Sequence, residues 1–147
     1  MYLTLTRTRL VAVCAALVLI VCICGRFSAV SDLPKDGKTN EDRVNFAASV
    51  GCKVDETVLD IKNVYIPDEF SDVYEKYNLL QKQAGYDLSG YKGCSTKLYT
   101  YRVIEGGIAN KETVINLIVY RDRIIGGDIS ATALDGKMLP LKNFGDS

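Results

Sequence analysis

The longest uninterrupted apolar run in the chain is Leu10 to Gly25 (LVAVCAALVLIVCICG); beyond it, hydrophobic residues recur at helical spacing or alternate as in strands. The run follows Arg7 and Arg9 and is closed by Arg26. As a helix its 16 residues would span about 24 Å against a hydrocarbon core of about 30 Å, so length leaves two readings open. One is a retained membrane anchor, with the arginines at the two interfaces. The other is a cleaved export signal, for which Ala29 and Ser31 supply small residues. Under either, the positive-inside rule places the remainder outside the cytoplasm. The expected organisation is a signal anchor or signal peptide over residues 1–30, a linker over 31–38 containing Pro34 and Gly37, and an extracytoplasmic domain over 39–147.

Within that domain Thr39 or Asn40 caps a helix, with Glu41 and Asp42 in the first turn where the helix dipole favours acids. Its apolar face is read as Val44, Phe46, Ala47, Ala48 and Val50, and Gly51 stops it. Val54 to Ile66 is rich in β-branched residues and reads as a strand, whole or broken once. Pro67 then opens a helix through Ala84, with Phe70, Val73, Tyr74, Tyr77 and Leu80 at spacings of three and four and Gly85 as its end. After the loop Tyr86 to Gly93, three strands follow over Leu98–Ile104, Thr113–Tyr120 and Ile124–Thr132. Arg121 to Arg123 makes a hairpin turn without the usual Asn-Gly or Asp-Gly pair. Gly126 and Gly127 mark a bulge or a close backbone approach. The predicted fold class is α+β: an antiparallel sheet of about four strands with two helices packed on one face, preceded by one N-terminal hydrophobic helix. Alternation in Leu98–Ile104 leaves the other face to solvent.

Composition removes whole classes of chemistry. With no histidine, the chain cannot form a Ser-His-Asp triad, a Cys-His dyad or a His-liganded zinc site. The whole chain is formally neutral, but residues 39–147 hold 13 basic against 16 acidic side chains, 13 − 16 = −3, with no basic run, so nucleic acid is not an expected partner. No cofactor or metal is expected. Asp68, Asp72 and Glu75 would share one face of the long helix, where complementing its dipole is the simpler role than holding a cation. Asp128 with Asp135 is the one conceivable carboxylate pair for hydrolysis.

Two features remain. Cys52 and Cys94, the only cysteines of the domain, are a possible disulfide or two small buried hydrophobes. Tyr86, Tyr91, Tyr99 and Tyr101 flank a glycine-bearing loop and are candidate binding residues, since each ring offers contact area with a hydrogen-bonding tip; the competing role is to cover the sheet.

The stretches IPDEFSDVYEKYNLLQKQAGYDLSGYKG (Ile66 to Gly93), NLIVYRDRIIGGDIS (Asn116 to Ser130) and ALDGKM (Ala133 to Met138) resemble the domain-of-unknown-function family numbered 4830. That resemblance implies a compact, exported, N-terminally anchored protein of Gram-positive bacteria, and it carries no catalytic residues. The expected function is a noncatalytic extracytoplasmic module, held to the membrane by its N-terminal segment, that binds an envelope protein or peptide. The alternatives are a small envelope hydrolase using carboxylates and an accessory subunit of a membrane assembly.

Overall fold

A computed structural model describes residues 35–133 and 136–142 of the chain. The proposed signal or anchor segment, the first half of the linker (31–34) and Asp135 lie outside the described residues. Among the described residues no helix is long and apolar enough to cross a membrane.

The chain runs β1 (Lys35–Asp36), α1 (Asn40–Ser49), β2 (Lys53–Val54), β3 (Asp60–Tyr65), α2 (Asp72–Gln83), a 3-10 turn (Leu88–Tyr91), β4 (Ser95–Glu105), β5 (Thr113–Tyr120), β6 (Arg123–Ala131) and β7 (Met138–Pro140). The class is α+β, and the sheet has seven strands rather than about four. Three long antiparallel strands, β4, β5 and β6, form its centre. Each outer position is filled by two short pieces: β2 and β3 both pair with β4, and β1 and β7 both pair with β6, all antiparallel. The stretch from Val54 to Ile66 is therefore broken once, between β2 and β3.

Thr39 starts α1 through a reciprocal cap: its hydroxyl accepts from the Asp42 amide at 3.1 Å, and the Asp42 carboxylate accepts from the Thr39 amide at 2.8 Å. The face that α1 buries is Arg43, Phe46, Ala47 and Val50, at i, i+3, i+4 and i+7; Ala48 is exposed. α2 begins later than Pro67. Ser71 caps it by accepting from the Tyr74 amide, and Pro67 to Phe70 stay outside because the Ile66 carbonyl is taken by the Gly93 amide and Asp68 by the Tyr65 hydroxyl. Asp68 consequently does not share a helical face with Asp72 and Glu75. Val73, placed on the apolar face by its spacing, is 78% exposed, and the residues of α2 that are fully buried are polar: Asn78 and Gln81.

The two helices cover opposite faces of the sheet, not one. Ile115, Leu117 and Val119 alternate along β5 into one core with Tyr101, Ile129 and the Phe46 and Ala47 of α1. Ile118 faces the other way, into a second core with Ile66, Leu88 and Ile125, against which Phe70, Tyr74 and Tyr77 pack. Both faces of β5 are covered, which explains why it reads as an almost continuous apolar run, while β4 keeps exposed residues towards both its ends.

The β5–β6 connection is a two-residue hairpin in which both central residues, Arg121 (φ 46°) and Asp122 (φ 64°), are left-handed, the type I′ signature. One residue of β6 is extra between the pairs Val119–Ile124 and Ile118–Gly126, so the bulge falls at Ile125. Gly127 (φ 152°) supplies the close approach: a Cβ there would lie 2.0 Å from the Asn116 carbonyl oxygen.

Candidate functional site

The four tyrosines are not brought together. Tyr101 is fully buried in the α1-side core, and Tyr86 packs half-buried against the same core. Tyr91 belongs to the opposite face, with its ring in edge contact with Tyr120 at 5.7 Å between centroids. Tyr99 borders an open cavity. Burial pushes the Tyr101 phenol up, and the neighbouring Arg43 partly offsets this.

The cysteines are free. Cys52 is buried at the far end of β4, where its thiol donates to the Gly106 carbonyl at 3.5 Å, and Cys94 immediately precedes the start of the same strand. The 11 residues of β4 lie between those ends, about 30 Å of strand at the usual rise, whereas a disulfide needs Cα atoms within about 7 Å. Burial raises the Cys52 thiol further, away from thiolate chemistry.

Asp128 is 3% exposed and accepts three hydrogen bonds. Tyr77 Oη and Asn116 Nδ2 each donate to it at 3.0 Å, and Ser130 Oγ donates as well. Asn116 in turn accepts from Thr100 Oγ1 at 2.8 Å. Burial, then the charge of Asp128, push the Tyr77 phenol far above its ordinary range. Gln81 Oε1 accepts from the Gly127 amide at 2.8 Å. This network ties α2 to β6. Among the described residues no group of three or more acids or cysteines could hold a metal ion.

The open cavity is a groove of about 530 Å³ on the α1 side of the sheet, beyond the end of the helix. One wall is Asn63 of β3 with Ser95, Lys97 and Tyr99 of β4; the other is the hairpin from Val119 to Asp122; Gly37 and Lys38 close it. The sheet register builds this directly, since Asn63 pairs with Lys97 and Lys97 with Val119. Three cations, Lys38, Lys97 and Arg121, meet one carboxylate, Asp122, in the lining. The ion pairs nearby are made by others, Arg123 with Asp36 at 3.4 Å and Lys62 with Asp60 at 2.9 Å. The Arg121 guanidinium lies 5.2 Å above the Tyr120 ring, which orients it without neutralising it.

Behind the groove sits a fourth positive charge. Arg43 is 6% exposed, with its guanidinium 3.8 Å above the Tyr99 ring. Its Nε donates to Tyr101 Oη at 2.7 Å and its Nη1 to the carbonyls of Gly37 at 2.7 Å and Lys38 at 3.0 Å. Tyr101 passes its own proton to Asn40 Oδ1 at 2.8 Å. Every partner of this buried cation is neutral. Asp42 is the acid that Arg43 and Lys38 act on from α1, and its carboxyl is held low first by the Thr39 amide and hydroxyl and only then by these two charges. The sequence carried one sign of this arrangement: Arg43 stands in register with Phe46, Ala47 and Val50 on an otherwise apolar stripe.

The sequence model of a domain of unknown function (DUF4830) matches residues 46–129. That span runs from α1 through β6 and includes every strand of the sheet centre and both walls of the groove. No curated protein and no solved structure matches the chain.

Proposed function

The chain belongs to the family of the domain of unknown function DUF4830, and on that footing we propose that it is a noncatalytic binding module, held outside the cytoplasm by its N-terminal hydrophobic segment, whose contact surface is the groove between β4 and the β5–β6 hairpin. The observation that carries this reading is the groove itself. Its volume falls in the range of ligand sites, and its lining mixes cations, amide and hydroxyl groups with the Tyr99 ring over the sheet. Histidine is absent from the chain, and the buried carboxylate Asp128 is saturated by three donors on the opposite face of the sheet, so a carboxylate hydrolase has less to support it. The lining suits holding a partner more than transforming it.

The test is crosslinking in the native membrane from the full chain, with a photoreactive residue at Asn63 in the groove or at Val73 on the exposed side of α2. The expected result is one specific adduct from position 63 that position 73 does not give, together with protease access to the domain in intact cells. Equal labelling from both positions, a protected domain, or turnover of a substrate by the purified full chain would each overturn the reading.

A further inference from the structure

We infer that the ligand of this groove carries an oxyanion, a phosphate ester or carboxylate group, which seats between Lys97 and Arg121. The inference rests on the binding-module reading and deepens it by naming the chemistry of the occupant.

Charge placement is the first support. The domain as a whole is acidic, 13 − 16 = −3 over residues 39–147, yet this groove gathers Lys38, Lys97 and Arg121 against Asp122 alone. A local positive field on an acidic body is selective, because anions are repelled elsewhere and concentrated here. The second support is that these cations have no close counter-ion: among the described residues none of the three makes an ion pair, whereas Lys53, Lys62, Lys82 and Arg123 all do, and the contacts of Arg121 are to the neutral Tyr120.

The third support is Arg43. A charge buried at 6% exposure whose hydrogen-bond partners are all neutral loses most of its hydration, and the acid that feels it, Asp42, is held chiefly by Thr39. Its guanidinium stacks on Tyr99, a residue of the groove lining, so an anion bound in the groove gains from a further positive charge close by. Arg121 offers the planar fork that matches an oxyanion, and Lys97 and Lys38 act as point charges beside it. Asn63 and Ser95 furnish neutral hydrogen bonds for the hydroxyls or esters of the same molecule. The size of the cavity suits a small ligand or one chain end, and is too short a track for a nucleic-acid duplex.

The experiment is calorimetric titration of the full chain in detergent micelles with glycerol 3-phosphate, succinate and glycerol, at low and at physiological salt. Saturable binding of glycerol 3-phosphate or succinate that weakens as salt rises, with no binding of glycerol, is the expected result; the two anions separate a phosphate from a carboxylate source. Lys97→Glu combined with Arg121→Glu should weaken that binding about tenfold or more, while Lys76→Glu on α2 leaves it unchanged. Circular dichroism of each variant verifies that it folds, and Lys97→Gln with Arg121→Gln provides a milder pair. Binding of glycerol as tight as that of its phosphate, indifference to both charge-altered pairs, or no saturable binding of either anion overturns the inference. If position 63 still gives its specific adduct in the native membrane after such a failure, the module reading stands with an uncharged partner; if that adduct is also absent, both fall.

Discussion

Arg43 Nε and Tyr101 Oη are joined by a 2.7 Å hydrogen bond inside the α1-side core, linking the first helix to the longest strand of the sheet. Tyr101→Phe removes the acceptor of a buried charged donor and the partner of Asn40 at once. A hydrogen bond to a charged group is worth about 2 kcal/mol, so the variant should unfold at a lower urea concentration by that amount with an unchanged slope. A loss under about 0.5 kcal/mol would mean that the guanidinium finds another acceptor.

The β5–β6 hairpin holds two non-glycine residues at positive φ. Asp122→Gly removes the steric cost of the left-handed conformation and keeps the carbonyl that accepts from the Gly37 amide, so stability should rise by about 1 kcal/mol. Asp122→Ala, which keeps that cost, should show no such gain in the same urea titration.

Gly127→Ala meets a stricter limit. Its Cβ would approach the Asn116 carbonyl oxygen to 2.0 Å and the Leu141 Cδ1 to 2.9 Å, at a backbone angle that L side chains rarely adopt. The expected loss exceeds about 3 kcal/mol, or a fall of about 12 °C or more in melting temperature for a domain of this size.

Asp87 gives the fold an acid-sensitive joint. Its carboxylate accepts from the Ser89 amide and from Asn78 Nδ2, both at 2.9 Å, and lies 3.4 Å from Lys82. These contacts, Ser89 and Asn78 foremost, hold its pKa well below the usual carboxylate range. The folded form therefore binds the proton less tightly than the unfolded chain, and the stabilisation is full above the ordinary carboxylate pKa of about 4 and is lost as pH falls below it. Asp87→Asn should be less stable than the parent at pH 6, and the difference should shrink towards pH 2 in parallel denaturation curves. A gap that stays constant with pH would mean the carboxylate charge plays no part.

The thiols should report the two ends of β4 separately. In the native chain Cys94, half-buried, is expected to alkylate readily, and Cys52, fully buried with its pKa raised, only after unfolding, as read by peptide mapping without reductant. A Cys52–Cys94 linked peptide would contradict the strand register.

Local signals carried most of the elements. The cap at Thr39 and the stop at Gly51 bounded α1, and the β-branched and alternating runs located β3, β4, β5 and β6. α2 was placed too early because Pro67 is a strong helix-opening residue, while the operative cap, Ser71, competes with it only through a backbone pairing to Gly93 far along the chain. β1 and β7, of two and three residues, exist because β6 offers them an edge, which no short window of sequence can express. The second covered face was legible in β5, but the alternation of β4 argued for a solvated one. The groove was not legible at all: its walls come from residues near positions 37, 63, 97 and 120, joined only by strand register. Arg43 shows in the sequence as a charge in register with an apolar stripe, but its aromatic and carbonyl partners come from β4 and from residues 37 and 38, which helical periodicity does not express.

The Arg43 contacts to the Gly37 and Lys38 carbonyls also have a mechanical meaning. Any tension that reaches the domain through the residues before Lys35 enters at a two-residue strand, and a buried guanidinium grips the backbone immediately after it. To peel that segment away, a pull must first strip a buried guanidinium of two of its carbonyl acceptors, so the junction resists stretching more stubbornly than its few strand hydrogen bonds would suggest. The same clasp closes the groove, and slackening it would open the cavity at the moment the domain is tugged.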